Sequence, residues 1–268
     1  MESNSLDKII NKKKEKLTLL KNKFKTEDLK NKIDKFDKFF NFKDKINSNF
    51  LKGKFSLIAE IKKASPSAGI ILDNFNELDI AKTYVENGAS FLSVLTEEDY
   101  FYGKLESIKA IKNFHDIPIL CKDFFIDTFQ VGLAKSFGAD CILIILSAVD
   151  IELAKDLYQA ASEHKISSLI EVHSQKEAEI ALNFEDAIIG INNRDLKTLK
   201  ISLETSIDLA KILHSHKYPL ISESGIHTSE DIKHLLKSAK ISNFLIGESL
   251  LKSKDIGLKL KEFTQISL

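Results

Sequence analysis

Several short apolar runs of this sequence end in a polar side chain that could move a proton. Lys122 directly follows one such run, and Glu171 lies near the end of another, Leu169-Ile170-Glu171-Val172. An ammonium group can act as a general acid and a carboxylate as a general base when both reach the same substrate. Burying a carboxylate in an apolar run is costly unless it is paired or functional, so we predict Glu171 as the base. For Lys122 the alternative is a surface lysine.

A second pair of charged groups ends the first apolar run. Alternation along a strand places Glu60 and Lys62 on the same face as Ile58, so both are predicted to reach one pocket. Ser65 follows in a Ser-Pro-Ser turn, where its hydroxyl could bind a polar substrate group. A structural ion pair is the alternative for Glu60 and Lys62, and an ordinary turn is the alternative for Ser65.

Two later runs end in Asn192 and Glu223, and the only arginine of the chain, Arg194, lies two residues after Asn192. A guanidinium binds a carboxylate through two parallel hydrogen bonds, which lysine cannot do, so we predict a substrate contact for Arg194. The alternative is that this arginine has been retained by chance and does not contact a substrate. With Lys62 and Arg194 nearby, a desolvated Lys122 is predicted to have a pKa below its free value of about 10.4, which suits a general acid at neutral pH.

Glycines after the last two apolar runs indicate a phosphate site. Ser224 and Gly225 follow the seventh run, and Gly247 and Glu248 end and follow the eighth. Glycine leaves backbone N–H groups accessible beside the start of a helix, where a phosphate is stabilised by the helix dipole. Plain turns are the alternative reading for each glycine taken singly.

The elements that must position these residues form a repeating pattern from residue 56 onward, in which eight apolar runs alternate with amphipathic segments. Continuous apolar runs predict strands covered on both faces, hence a parallel sheet. Eight such units predict an α/β fold closed as a (β/α)8 TIM barrel, whose strand ends bring the polar residues to one mouth. The runs are Leu57–Ile61, Phe91–Leu95, Ile117–Cys121, Cys141–Leu146, Ser168–Val172, Ala187–Ile191, Pro219–Ser222 and Phe244–Gly247.

The length of 268 residues suits one barrel domain over residues 1–268, with residues 1–50 as an N-terminal helical extension. In residues 1–50 apolar side chains recur at helical spacing on a lysine-rich background, and an aromatic cluster follows them. We predict helices packed against the barrel, with a solvated tail as the alternative for the first turns. The positions are Leu6, Ile9, Ile10, Leu17, Leu20, Phe24, Phe36, Phe39, Phe40 and Phe42.

Composition argues against several classes of protein. Residues 1–50 contain 14 lysines against eight acidic residues, but the two are interleaved and no nucleic-acid motif accompanies them. No apolar run reaches the roughly 18 residues that span a bilayer, and the polar start lacks the apolar core of a signal peptide, so we predict a cytoplasmic protein. Cys121 and Cys141 each lie in an apolar run without metal-ligand spacing, which predicts core packing and no metal site.

Seven strings of the sequence, in this order, resemble the indole-3-glycerol-phosphate synthase family: LIAEIKKASPS, SVLTEEDYFYG, KDFFID, LIEVH, GINNRDL, ISESGI and FLIGESL. The start, LDKIINKKKEKL, is similar to the family's N-terminal helical extension, which lies near the barrel mouth. The resemblance implies a carboxy-lyase of tryptophan biosynthesis that works without cofactor or metal. Its substrate would be 1-(2-carboxyphenylamino)-1-deoxyribulose 5-phosphate, its product indole-3-glycerol phosphate, and its partners other enzymes of the pathway.

The resemblance also implies roles for individual residues. Lys122 matches the general acid, Glu171 the general base and Lys62 a second catalytic lysine. Glu60 and Asn192 match polar residues that hold the substrate and set protonation states. Further matches are Phe101 and Phe124 as walls around the anthranilate ring, Ser65, Arg194 and Glu223 as substrate contacts, and Ser224, Gly225, Gly247 and Glu248 as the phosphate loops.

Two positions depart from the family pattern. Ala68 stands where many relatives carry lysine, and Glu248 stands where a small serine or threonine is often found, which leaves a carboxylate near the phosphate. Two other functions compete with the synthase. A phosphoribosylanthranilate isomerase shares the phosphate geometry but lacks the extension and the EIKKASPS string, and a non-catalytic partner would not need a full set of acid, base and phosphate groups.

Overall fold

The computed structural model describes residues 5–195 and 198–266, and its central element is a closed barrel of eight parallel strands. The first strand pairs with both the last and the second, with Ser56 opposite Asn243 and Ile58 opposite Phe91, which closes the barrel. The strands are β1 Ser56–Ile61, β2 Phe91–Leu95, β3 Ile119–Lys122, β4 Cys141–Ile145, β5 Ser167–Val172, β6 Ile188–Asn192, β7 Ile221–Glu223 and β8 Asn243–Ile246.

Helices separate the strands and surround the barrel, which confirms the predicted TIM barrel. The predicted runs and the observed strands differ by at most two residues at either end. Before the barrel come α1 Ser5–Lys23, α2 Thr26–Asp34 and α3 Phe42–Leu51. Around it lie α4 Glu77–Glu86, α5 Glu106–Phe114, α6 Phe129–Ser136, α7 Ile151–Glu163, α8 Gln175–Ala181, α9 Glu204–Ile212, α10 Ser229–Ala239, α11 Glu248–Leu251 and α12 Ile256–Thr264.

Two apolar layers hold the barrel together, because each strand buries both faces. Side chains such as Leu120 and Leu169 fill the interior, while Ile119 and Ile170 pack outward against the helices. Cys121 and Cys141 are buried and free, as predicted. None of the helices in the described ranges is long and apolar enough to cross a membrane.

The N-terminal extension packs on the barrel at both ends, which confirms the predicted packed helices. Phe42 and Ile46 of α3 are fully buried in the interior layer, where the Phe42 ring lies 4.5 Å from that of Phe91 at the start of β2. This helix therefore closes the N-terminal end of the barrel. Leu29 of α2 packs on α6.

Helix α1 lies against the loops at the opposite end, the mouth of the barrel. Its Ile9 is buried, so the solvated-tail alternative does not apply to this turn. Lys13 Nζ lies 2.6 Å from Asp123 Oδ1, and Lys21 Nζ lies 2.6 Å from Asp127 Oδ2, so lysines of this helix face carboxylates that follow β3. Pairing with these barrel acids explains why a basic segment folds onto the protein.

A fully buried ion pair fixes the link between the extension and the barrel. Lys112 of α5 contacts Asp140, which also accepts hydrogen bonds from the N–H of Phe40 (2.7 Å) and of Ile119 (2.8 Å). Lys112 Nζ donates to the carbonyl of Lys38 at 3.1 Å and lies 4.4 Å from the centre of the Phe40 ring. Burial lowers the pKa of Lys112 and raises that of Asp140, so desolvation dominates and the hydrogen bonds must compensate for it.

We predict that Lys112→Met lowers the free energy of unfolding by about 3–5 kcal/mol, because it leaves the Asp140 carboxylate buried without its cation. The control is Lys82→Met, which removes an exposed lysine paired at 3.9 Å with Glu86 and should cost less than about 1 kcal/mol. Urea denaturation followed by circular dichroism measures both. Equal effects of the two variants would contradict the assigned role of the buried pair.

Candidate active site

A cavity of about 480 Å³ opens at the carboxyl ends of the barrel strands. Leu6 and Ile9 of α1 form part of its wall, so the extension contributes to the cavity. Every site residue predicted from the sequence lines this cavity. They are Glu60, Lys62, Ser65, Phe101, Lys122, Phe124, Glu171, Asn192, Arg194, Glu223, Ser224, Gly225, Gly247 and Glu248.

The Lys122 ammonium lies between two buried carboxylates. Its Nζ donates to Glu171 Oε2 at 2.9 Å and also contacts Glu223. Strands β3, β5 and β7 deliver these three side chains, each from the last or next-to-last position of its strand. Because both carboxylates are almost fully buried, the ammonium is their main source of charge compensation.

The predicted lowering of the Lys122 pKa is wrong. Burial alone would lower that pKa, but the carboxylates of Glu171, Glu223 and Glu60 outweigh burial and raise it above the ordinary value. The prediction assumed cationic neighbours, whereas the barrel brings carboxylates to the ammonium. Lys122 is therefore protonated at neutral pH, as a proton donor must be.

The two carboxylates bound to Lys122 titrate differently. Burial would raise the pKa of Glu171, but Lys122 and the imidazole of His173 lower it below its ordinary value, so Glu171 is ionised. Burial, followed by repulsion from Glu171 and Glu60, raises the pKa of Glu223 to about 7, although Lys122 acts in the opposite direction. Glu223 Oε1 has no hydrogen-bond partner within residues 5–195 and 198–266, which agrees with the cost of ionising it.

Glu60 and Lys62 pair with each other on the cavity wall. Lys62 Nζ donates to Glu60 Oε1 at 2.7 Å, so the ion-pair alternative is correct as a description of their contact. Glycines leave room for the buried carboxylates nearby. A Cβ on Gly247 would lie 2.8 Å from Glu60 Oε1, and a Cβ on Gly190 would lie 2.2 Å from Glu223 Oε1.

His173 contacts the predicted base and was missed by the sequence reasoning. Its Nε2 lies 3.2 Å from Glu171 Oε1, and its Nδ1 lies 3.3 Å from Glu177 Oε2. Burial lowers the His173 pKa, but the two carboxylates raise it to about 9, so the ring is a cation at neutral pH. His173 lies two residues after Glu171, which places both on the same side of an extended segment, and four residues before Glu177. These two spacings could have identified it from the sequence.

Two neighbouring asparagines organise the end of β6. Asn192 Nδ2 donates to Glu171 Oε1 at 3.2 Å, and Asn192 Oδ1 accepts from the N–H of Arg194 at 3.0 Å. Asn193, also missed from the sequence, is buried and donates to Ser222 Oγ and to the carbonyl of Ser224, both at 3.0 Å. These bonds connect the loop after β6 to the loop after β7.

Phe101 and Phe124 face each other on the wall nearest α1. Their ring centres lie 6.3 Å apart at an angle of 43°, so they form an aromatic pair on one side of the cavity. Glu97, which the sequence reasoning also missed, is buried and accepts N–H bonds from Tyr100 at 2.8 Å and from Phe101 at 3.1 Å. The loop that carries Phe101 is thereby fixed.

Arg194 lies on the part of the wall that carries the predicted phosphate loops. Its Nη1 donates to Ser67 Oγ at 3.4 Å, and its Nη2 lies 3.6 Å from Glu248 Oε2. Ser224 has φ 67° and Gly225 has φ 80°, a left-handed pair that turns the chain sharply after β7.

Ser65 contributes to a turn as well as to the wall of the cavity. Its Oγ accepts the N–H of Ala68 at 3.1 Å, so the ordinary-turn alternative describes part of its role. The turn lies in a two-stranded antiparallel hairpin formed by Ala64–Ser65 and Gly69–Ile70.

Solved structures share the fold. The chain is similar to a tryptophan synthase subunit alpha from Legionella pneumophila str. Paris, with a TM-score of 0.62 at 15% identity over 87% of this chain and 97% of that one. It is also similar to 3-hexulose-6-phosphate synthase from Salmonella typhimurium, with a TM-score of 0.64 at 14% identity over 78% and 97% of the two chains. At these identities the likeness concerns the fold alone.

Sequence comparison is more specific. An indole-3-glycerol phosphate synthase from Legionella pneumophila (strain Lens) is 45% identical over 207 residues, 77% of this chain and 80% of that protein. One from Aliarcobacter butzleri (strain RM4018) is 40% identical over 262 residues, 96% of this chain and 97% of that protein. The family model described as indole-3-glycerol phosphate synthase matches residues 6–263, and the chain therefore belongs to the indole-3-glycerol phosphate synthase family, whose members are carboxy-lyases of tryptophan biosynthesis.

Proposed function

We propose that this chain converts 1-(2-carboxyphenylamino)-1-deoxyribulose 5-phosphate into indole-3-glycerol phosphate, carbon dioxide and water. The observation that carries the proposal is the contact between a protonated lysine, Lys122, and an ionised carboxylate, Glu171, inside the cavity. Ring closure onto a carbonyl needs a proton donor for the oxygen and a base for the adjacent carbon. Each such group contributes roughly 10²- to 10⁴-fold to the rate.

Lys122 is proposed as the general acid. The ring carbon that bears the carboxylate attacks the carbonyl carbon, and the carbonyl oxygen takes a proton. Carbon dioxide then leaves, and the electrons of the broken bond restore the aromatic ring. The new hydroxyl departs as water after a second protonation. Two ammonium groups on the cavity wall, those of Lys122 and Lys62, lie next to the buried carboxylates.

Glu171 is proposed as the base that takes the proton from the methylene carbon and completes the indole ring. Asn192 and His173 hold the carboxylate from two sides, while Glu60 positions Lys62. Glu223 contacts Lys122 and is the carboxylate of the cluster whose pKa lies near neutrality. It is proposed as a substrate contact that exchanges protons with Lys122.

The apolar and polar walls fit the two halves of the substrate. The apolar wall that Phe101 and Phe124 form suits the anthranilate ring, and its apolar character excludes water from the reacting atoms. Ser224, Gly225, Gly247 and the N–H groups beside them are proposed to receive the phosphate. Glu248 belongs to the same proposed phosphate loops, and the remaining proposed substrate contacts are Ser65 and Arg194.

The proposal also covers the domain organisation of the protein, its cellular location and its partners. Residues 1–268 would form one barrel domain with residues 1–50 as its extension, and the packing of α3 inside the barrel supports this. A cytoplasmic location and association with other enzymes of tryptophan biosynthesis follow from the proposed pathway. Co-purification of those enzymes with a tagged chain tests the association.

We expect the purified protein to form the fluorescent indole product from the carboxyphenylamino-deoxyribulose phosphate without added metal. Lys122→Met and Glu171→Gln should each lower kcat by at least about 10²-fold, because one removes the acid and the other the base. Stopped or continuous fluorescence assays measure both effects. Absence of product at high enzyme concentration would refute the proposed reaction.

Matched controls for those variants come from the exposed pair on α4. Lys82→Met and Glu86→Gln remove the same charges far from the cavity and should leave kcat within about twofold of the unchanged protein. Because Lys122→Met leaves two carboxylates without their cation, thermal unfolding of each variant is measured alongside. Loss of activity in a folded Lys122 variant with active controls supports its role as acid.

Arg194→Lys is expected to lower kcat/KM by about tenfold, because lysine keeps the charge but loses the two-pronged hydrogen bonding. Lys82→Arg provides the reverse exchange at an exposed position and should have no effect. Steady-state kinetics with both variants measure the difference. An unchanged kcat/KM for Arg194→Lys would show that only the charge matters at this position.

A further inference from the structure

A carboxylate stands in the cation-bearing part of the cavity wall where the proposed phosphate loops lie. Glu248 is the first residue of α11 and directly follows Gly247. Its Oε1 accepts from Lys252 Nζ at 2.7 Å, and its Oε2 lies 3.6 Å from Arg194 Nη2. Both cations line the same cavity, so the carboxylate occupies the groups that an incoming anion would need.

The sequence departs from the family pattern at this position, where Glu248 leaves a carboxylate near the predicted phosphate loops. In the structure the carboxylate pairs with Arg194 and Lys252, and both of these cations line the cavity. The hydrogen bond from Lys252, together with the charges of Lys62 and Arg194, lowers the pKa of Glu248. The group is therefore an anion whenever a phosphate arrives at neutral pH.

Resting on the proposed function, we propose that Glu248 is an internal counter-anion of the phosphate subsite. It holds Arg194 and Lys252 in place when the subsite is free, and it must give up both cations when the phosphate of the substrate binds. The phosphate then binds at a wall whose positive charge Glu248 partly neutralises, rather than to unpaired cations. Glu248 thus weakens the binding of phosphorylated ligands.

Weaker binding of the phosphate favours turnover. The phosphate takes no part in the bond changes, so substrate, transition state and product make the same contacts there, and tighter contacts would lower KM without raising kcat. They would also slow the departure of the phosphorylated product. A counter-anion that competes for the cations limits this retention while leaving the phosphate loops intact.

Calorimetric titration with sulfate tests the proposal, because sulfate keeps two negative charges across the neutral range and needs no turnover. Ionic strength is held constant with potassium chloride, since exposed charges are screened by salt. Glu248→Gln keeps the size of the side chain and removes its charge. We expect sulfate to bind this variant about three- to tenfold more tightly than the unchanged protein.

The matched control is Glu86→Gln, which removes a carboxylate paired with a lysine four residues away but lies outside the cavity. It should leave sulfate affinity unchanged. Glu248→Asp keeps the charge and should bind sulfate as the unchanged protein does, which separates charge from shape. Unchanged or weaker sulfate binding by Glu248→Gln would overturn the proposal, because Glu248 would then support the anion site or lie outside it.

Kinetics provide a second readout. Glu248→Gln should lower KM for the phosphorylated substrate and increase inhibition by the product, with kcat not raised.

The experiments distinguish failure of the proposed reaction from failure of the counter-anion. If the unchanged protein forms no indole product while Glu248→Gln still tightens sulfate binding, the reaction is wrong and the counter-anion stands, whereas normal turnover without tighter sulfate binding rejects the counter-anion alone.

Discussion

The ammonium of Lys122 compensates the charge of two carboxylates that the barrel buries at its mouth. Glu171 and Glu223 are 2% and 1% exposed; with Lys122 between them the pKa of Glu171 stays below its ordinary value, while burial and repulsion raise that of Glu223 to about 7. Lys122 contacts both, and their charges in turn keep it protonated. The proposed proton donor is therefore also the group that permits a carboxylate base to exist next to it. Removing it changes the chemistry and the electrostatics of the mouth together.

The sheet makes room for this cluster through glycines on neighbouring strands. Glu171 pairs with Gly190 across β5 and β6, and Asn192 pairs with Glu223 across β6 and β7. Since Gly190 has no side chain, the Glu223 carboxylate can occupy the space in front of it. Gly247, which directly follows β8, does the same for Glu60 of β1, the strand that pairs with β8. Burial of three carboxylates in one mouth thus depends on side chains that are absent as much as on the lysines that are present.

The sequence predicted the strands and the membership of the cavity because both follow from local patterns. A polar residue at the end of an apolar run must reach the same mouth as the others once the barrel closes. The pKa of Lys122 could not be predicted in this way, since it depends on which strands face each other across the interior. Gly190 was not identified for the same reason, because the space that it leaves matters only once the Glu223 carboxylate packs against it. His173 is different, since both of its carboxylate partners are close in sequence.

The cavity separates two tasks that need opposite kinds of interaction. At the Lys122 end, contacts matter when they strengthen as charge moves between the reacting atoms, and a donor and an acceptor already in contact can respond to that movement. At the Arg194 end, where we propose that the phosphate lies, the charge of the ligand does not change during the reaction, so contacts there set retention and orientation. A wall that is fully cationic would suit binding but not release. The fold meets both needs by placing a donor and an acceptor in contact, Lys122 and Glu171, where the reaction is proposed to occur, and by pairing Arg194 with Glu248 where the ligand is proposed to be only held.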